Sequence, residues 1–176
     1  MTREVIASLR AGDTVLLSGD LYTARDAAHR RMADAVKKGL PLPIDLKTAV
    51  LFYAAPSPTP PGRVIGSIGP TTSYRMDAFT PLLMEQGLRV MIGKGSRSSE
   101  VAAAIQKYRG VYFGAIGGIA ALTARSVTRM QPAAYEDLGP EAIRSLRVVD
   151  LPLVVVNDAR GNDLYKTEQK KWRILL

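Results

Sequence analysis

The run TVLLSGDLYTARDAAHRRMADAVKKG, Thr14 to Gly39, carries the pattern that decides the fold. Thr14 to Leu17 is an apolar stretch too short for a helix, set between Gly12-Asp13 and Ser18-Gly19, and it reads as a buried strand. Thr23 is then placed to begin a helix, its hydroxyl capping free N–H groups, with Asp26 three residues on in an acidic variant of the capping box. Ala28, Met32, Ala35 and Val36 recur at helical spacing. Lys37 and Lys38 suit the negative end of the helix dipole, and Gly39 ends the helix. A strand followed by a helix is the repeating unit of an α/β protein.

Working outward, the alternation continues. Pro41 and Pro43 mark a loop, and Thr48 to Ala55 reads as a second strand. The Pro-rich PSPTPPG, Pro56 to Gly62, reads as a stiff connection inside one domain, with a strand predicted over Arg63 to Ile68. Gly69-Pro70 breaks that strand, and a helix is predicted from Thr71 or Thr72 to Gln86. Pro81 demands either a kink or a fresh start capped by Thr80. Leu88 to Ile92 reads as a strand entering Gly93-Lys94-Gly95, and Ser98 or Ser99 caps a helix reaching Tyr108. Val111 to Ile116 is a further strand, and Gly117-Gly118 leads into a helix over Ile119 to Ser126.

The remainder is more β-like. Arg147 to Val149 and Leu153 to Val156 read as short strands, Asp158 to Asn162 as a turn, and Leu164-Tyr165 as the start of a returning strand. From Lys166 the chain is charged and then apolar, a candidate helix docking elsewhere. The class is α/β with a mixed sheet, in one domain over residues 1–176.

Composition narrows the chemistry. With no cysteine and His29 as the single histidine, the chain can form no disulfide, thiolate metal site or thiol nucleophile, and lacks the ligands of a zinc site or a histidine-based triad. No run approaches the ~20 apolar residues of a membrane span, and MTREVIASLRAGD at the start is charged throughout, unlike a secretory signal. No membrane and a cytoplasmic location are expected. The net charge of +8 suggests an anionic partner, polymer or small molecule. The cations are spread along the chain, aromatics are only 6%, and no nucleic-acid-binding signature occurs. No nucleic-acid partner is expected, although a basic nucleic-acid-binding module stands as an alternative of another class.

Three predicted strand ends pass through glycine turns toward a cation: Ser18-Gly19 before Arg25, Gly66 to Thr72 before Arg75, and Gly93-Lys94-Gly95. Ligands of α/β sheets sit beyond the carboxyl ends of strands, helix starts offer free N–H groups, and arginine grips a carboxylate with a planar fork. Two arginines and a lysine converging on one pocket suit a small dicarboxylate, whereas each alone is an ordinary surface cation. Gly93-Lys94 fails as a P-loop because Gly95 stands where Ser or Thr is needed, and Gly114 to Gly118 lacks dinucleotide-binding spacing. His29 reads as a structural histidine, an acid–base group, or a support near Arg25. Asp26 is a cap or an orienting partner of Arg25.

TARDAAHRRM (from Thr23), GSIGPTTSYRMD (from Gly66), MIGKG (from Met91) and YFGAIGGIAAL (from Tyr112) occur in an order and spacing that resembles the C-terminal domain of class I (iron–sulfur) fumarases. In two-subunit relatives such as L(+)-tartrate dehydratase, that domain is a separate β-subunit. The resemblance runs from about Gly12 to Tyr165. It implies a swivelling β/β/α fold, a cysteine-bearing α-subunit that holds a [4Fe–4S] cluster, a site between the halves, and a hetero-oligomer such as α2β2. One cluster iron would act as a Lewis acid on the substrate.

The resemblance also implies roles for particular residues. Arg25 and Arg75 bind substrate carboxylates, Lys94 binds substrate, and Thr71 is the base that takes the C3 proton of malate. Ser18, Gly19, Asp26, His29 and Thr72 stand as candidates to touch the substrate or hold those groups, and no metal ligand is expected in this chain. Tyr74 replaces the small residue of many fumarases, and Pro81 interrupts the following helix. TARDAAH and Gly161-Asn162-Asp163-Leu164-Tyr165 look more like fumarases than tartrate dehydratases. Reversible hydration of fumarate to (S)-malate is the expected reaction, with tartrate or another 2-hydroxydiacid as the alternative.

Overall fold

The computed structural model describes residues 1–173. In chain order it contains α1 (Arg3–Ser8), β1 (Thr14–Thr23), α2 (Asp26–Lys37), β2 (Val50–Phe52), β3 (Ala54–Pro56) and β4 (Ile68–Pro70). A 3-10 turn (Ser73–Met76) leads to α3 (Thr80–Glu85), β5 (Val90–Gly93), α4 (Ser99–Lys107), β6 (Val111–Gly114), α5 (Ala120–Arg125) and β7 (Val127–Ala134). A second 3-10 segment (Glu136–Glu141) precedes β8 (Ile143–Asn157) and α6 (Leu164–Trp172).

The main sheet is mixed, in the order β1-β2-β5-β6-β8-β7. β1, β2, β5 and β6 run parallel. The long β8 runs antiparallel to β1, β6 and β7. Val154 pairs with Thr14 on one side and Gly114 on the other, so β8 closes the sheet upon itself. β3 and β4 form a separate hairpin.

Burial on both faces explains the continuous apolar runs of the short parallel strands. Successive side chains point to opposite faces. Val50, Phe52, Val90, Ile92, Val111 and Phe113 therefore meet Leu146, Val148 and Val155 in one core. Leu51, Tyr53, Met91 and Tyr112 meet Met32, Leu83, Met84 and Ile105 in another, where the helices pack.

The structure corrects several local expectations. β1 does not stop at Leu17 but continues to Thr23 through a bulge at Ser18-Gly19. A bulge lets a strand bend without ending, and Gly19, at φ +141°, needs no strained side chain. Thr23 is thus strand, its hydroxyl accepting from the Arg144 amide, and α2 begins at Asp26. The predicted strand Thr48–Ala55 divides between the sheet (β2) and the hairpin (β3). Residues 63–67 are irregular and only Ile68–Pro70 is strand. The helix predicted over 71–86 is a 3-10 turn and a separate α3 with Pro81 in its first turn, the second of the two readings.

Arg147–Val149 and Leu153–Val156 are parts of one strand. Leu164-Tyr165 begins not a strand but α6, capped by Asp163, whose side chain accepts from the Lys166 amide. The apolar end of the tail, residues 174–176, lies outside the described residues. α1, β7 and the second 3-10 segment were not anticipated.

Candidate active site

The parallel strands bring four chain segments to one edge. The Ala24 amide donates to the Phe52 carbonyl, the Tyr53 amide to the Ile92 carbonyl, and the Ala115 amide to the Gly93 carbonyl. The segments leaving β1, β2, β5 and β6 are thereby pinned side by side. The β3–β4 hairpin then folds back, and the Thr71 amide donates to the Tyr53 carbonyl at 2.6 Å. Thr72 forms a bridge with Lys94, and the Ser73 amide donates to the Lys94 carbonyl at 2.9 Å. A Cβ at Gly93 would collide with the Ser73 hydroxyl, so glycine is what admits this turn.

Arg25 occupies the N-cap position of α2. Arg75, half exposed, donates from Nε to Asp26 Oδ1 at 2.7 Å. Among the described residues its two Nη groups have no partner, which leaves a planar fork for an anion. Arg25 Nη2 lies 3.5 Å from Glu141 Oε1, while Glu141 Oε2 accepts from the Ala27 amide at 2.9 Å. Glu141 therefore caps α2 from a distant segment and braces Arg25 together. The Arg25 Nε and Asp26 Oδ2 atoms are buried without hydrogen-bond partners.

His29 is fully buried beneath this edge. Its Nδ1 lies 2.9 Å from the Arg25 carbonyl, which can only accept, so Nδ1 carries the ring proton. Nε2 has no partner, and the ring meets Tyr53 edge-on. Burial pulls the pKa of His29 down to about 4, so it is a neutral support for the Arg25 backbone at neutral pH.

A second buried group packs on the ring of Tyr112. Arg97 Nε donates to Asp77 Oδ1 at 2.7 Å, and its guanidinium sits over the rings of Tyr112 and Tyr53 at 4.8 and 5.3 Å. Asp77 Oδ2 also accepts from the Ser98 amide at the start of α4. The Tyr112 hydroxyl donates to the Gly95 carbonyl at 2.9 Å and accepts from Ser73 Oγ at 2.8 Å. Burial pushes its pKa up, keeping that proton in place. One hydroxyl thus joins the turn carrying Thr72 to the turn carrying Lys94.

Arg25, Asp26, His29, Thr71, Thr72, Arg75 and Lys94 all belong to this edge. Ser18 and Gly19 do not. Ser18 lies five residues before Thr23, about 17 Å along an extended strand, and its hydroxyl pairs with Asp150. Asp77, Ser73, Arg97, Tyr112 and Glu141 escaped the sequence reading. Asp77 closes the GPTTSYRMD run and Ser73 lies within it, which was a usable signal. Glu141 arrives from an unpredicted segment and gave none. The site is open, and a cleft of about 620 Å³ lies away from it, between the Pro-rich loop and α5.

Fold and site define a domain that offers a cationic, helix-capped face for a small anion at the carboxyl edge of parallel strands. The chain belongs to the family described as fumarase C-terminus, which it matches over residues 1–168. It is 39% identical over 165 residues to fumarate hydratase 2 of Leishmania major, covering 93% of this chain and 29% of that protein. Against the anaerobic class I fumarate hydratase of Escherichia coli, identity is 37% over 169 residues, covering 93% of this chain and 31% of that protein. "Putative L(+)-tartrate dehydratase subunit beta" of Methanocaldococcus jannaschii is 37% identical over 177 residues, 97% of this chain and 91% of that protein. The chain therefore spans about three tenths of these fumarate hydratases and most of the archaeal subunit.

Proposed function

We propose that this chain is the β-subunit of a heteromeric hydro-lyase that interconverts fumarate and (S)-malate in the cytoplasm. The carrying observation is the meeting of Arg25 and Arg75 around Asp26, beside the Thr72–Lys94 bridge. Two guanidinium groups and an ammonium group suit the two carboxylates of a C4 diacid.

In the direction of dehydration a base takes a proton from C3 of malate, and the C2 hydroxyl leaves as water with a proton from an acid assigned to the proposed α-subunit. Arg25 and Arg75 fix the carboxylates, which orients C3. Thr71 is assigned the proton transfer as its alkoxide, which nearby cations would stabilise once its own hydroxyl proton has passed to solvent. Glu141 and His29 hold Arg25 in place from its side chain and its backbone.

A [4Fe–4S] cluster does not fit this chain's own residues. It has no cysteine, and no cluster of three or more His, Cys, Asp or Glu is placed to hold a metal among the described residues. We assign the cluster to a cysteine-bearing α-subunit, where it would supply Lewis acidity at the substrate hydroxyl. The coverage of relatives supports a missing half, since one relative named as a subunit is nearly matched in length. The same relative supports a second reading, in which tartrate is the substrate; Tyr74, largely exposed and next to Arg75 in sequence, is our candidate for telling the two diacids apart.

The test is anaerobic co-expression with the cysteine-bearing partner, following fumarate by its ultraviolet absorbance. Both chains should be required, and Thr71→Ala should cost roughly 10²–10⁴-fold in kcat. Turnover of tartrate alone would move the substrate to the second reading. No turnover of any diacid by a loaded complex would overturn the proposal.

A further inference from the structure

At the opposite end of the parallel strands from Lys94, five cations surround one cleft. Arg3 comes from α1, Arg89 directly precedes β5, Lys107 ends α4 with Arg109 just beyond it, and Arg160 follows β8. Together with Tyr108 they line about 450 Å³. Among the described residues none of the five forms an ion pair. Asp158, the carboxylate nearest Arg160 in sequence, is buried and accepts from the amides of Ala11, Arg160 and Asn162. Arg89 donates to the carbonyls of Met84 and Leu88 and lies over the Tyr108 ring at 5.4 Å, but among the described residues no carboxylate pairs with it.

Such convergence is not an ordinary solvated surface. Lys107 is explained by the negative end of the α4 dipole, and Arg89 by the α3 carbonyl of Met84 that it satisfies. Arg3, Arg109 and Arg160, from three separate segments, are not. Burial, and then the charge of Arg3, press the Arg89 pKa down, so Arg3 and Arg89 repel each other across the cleft. Arg109 stands at φ +53°, just past the end of α4, where glycine is the usual residue. A bulky cation is kept there against backbone preference.

We propose that this cleft binds a small polyvalent anion, of the class of metabolites bearing a di- or triphosphate group. A dicarboxylate would neutralise at most two of the five charges. A phosphate chain offers each guanidinium a fork-shaped pair of acceptors. The volume lies within the range of small-molecule pockets, about 300–1,000 Å³. No residue is shared with the Arg25–Arg75–Lys94 face, so the proposal stands apart from the hydro-lyase reading.

The test is calorimetric titration of the full chain, in low salt, with inorganic tripolyphosphate, with ATP and with fumarate. Saturable binding of tripolyphosphate and ATP is expected, weakening as salt rises. Arg109→Glu and Arg160→Glu, both exposed at the rim of the cleft, should each weaken it at least about tenfold without changing the melting temperature. Arg75→Ala and Lys94→Ala should leave it intact. Equal affinities for the two phosphates assign recognition to the phosphate chain, and a preference for ATP adds a contact with Tyr108; either result supports the site. Absence of saturable binding, indifference to the two rim variants, or loss of binding in the Arg75 or Lys94 variant would overturn it.

Discussion

Asp77 and Arg97 form a buried ion pair packed on the ring of Tyr112, whose hydroxyl meets Ser73 and Gly95. Burial opposes the Arg97 charge, yet Tyr53, Asp77 and Tyr112 around it hold its pKa above the ordinary value. Removing one partner strands the other in an apolar core. Asp77→Asn is expected to cost about 3 kcal/mol or more in urea denaturation, whereas Asp137→Asn, at the exposed bidentate pair with Arg31, should cost far less. His29 gives a pH signature. Its folded pKa of about 4 lies below the ordinary 6.5, so the unfolded chain binds the proton first. Stability should therefore be full above pH 6.5 and fall as pH drops toward 4, by up to about 1.4 kcal/mol per pH unit. His29→Gln should flatten that slope between pH 6.5 and 5, where carboxylates titrate little, and the single imidazole should show no NMR titration there. At this scale the cations of the carboxyl edge were legible because arginine and lysine after glycine turns are visible letters. The buried partners were not, because nothing local marks Arg97 or Glu141 as facing inward.

Between elements, the Tyr112 hydroxyl is the link whose loss is easiest to isolate. It ties the Ser73 turn to Gly95 at the end of β5 and belongs to neither. Tyr112→Phe should fold, lose about 1–3 kcal/mol in chemical denaturation through the orphaned Ser73 hydroxyl and Gly95 carbonyl, and lower kcat in the proposed heteromer by loosening Lys94 against Thr72. An unchanged kcat with the full stability loss would confine Tyr112 to the core. The short parallel strands were legible because burial on both faces leaves unbroken apolar runs. β1 and β8 were read too short, because their outward positions are polar. Leu146, Val148, Leu151 and Leu153 face inward while Arg147, Asp150 and Pro152 alternate with them. A bulge then shifts the period at Gly19, so that only the densest apolar patches stood out.

The closed sheet places the charged face of the molecule beside an apolar one. Tyr74 adjoins Arg75, Ile116 follows β6 next to Gly117, whose backbone lies against the Lys94 side chain, and Leu122 projects from α5. All three are more than half exposed, in segments that leave the carboxyl edge of the strands. Large apolar side chains around a polar site are disfavoured unless covered. In the proposed heteromer their cover is the α-subunit, which would seal the site from water as it completes it. Ile116→Asp combined with Leu122→Asp should weaken the complex at least about thirtyfold, as loss of a central apolar anchor does, read by analytical ultracentrifugation of the two chains. The melting temperature of the isolated chain should not move, because neither side chain is in its core. If the double variant still assembles and turns over fumarate, the partner approaches from elsewhere and the open face is closed by substrate alone. If assembly fails while the fold holds, the rim that surrounds the cations is also the surface that joins the halves.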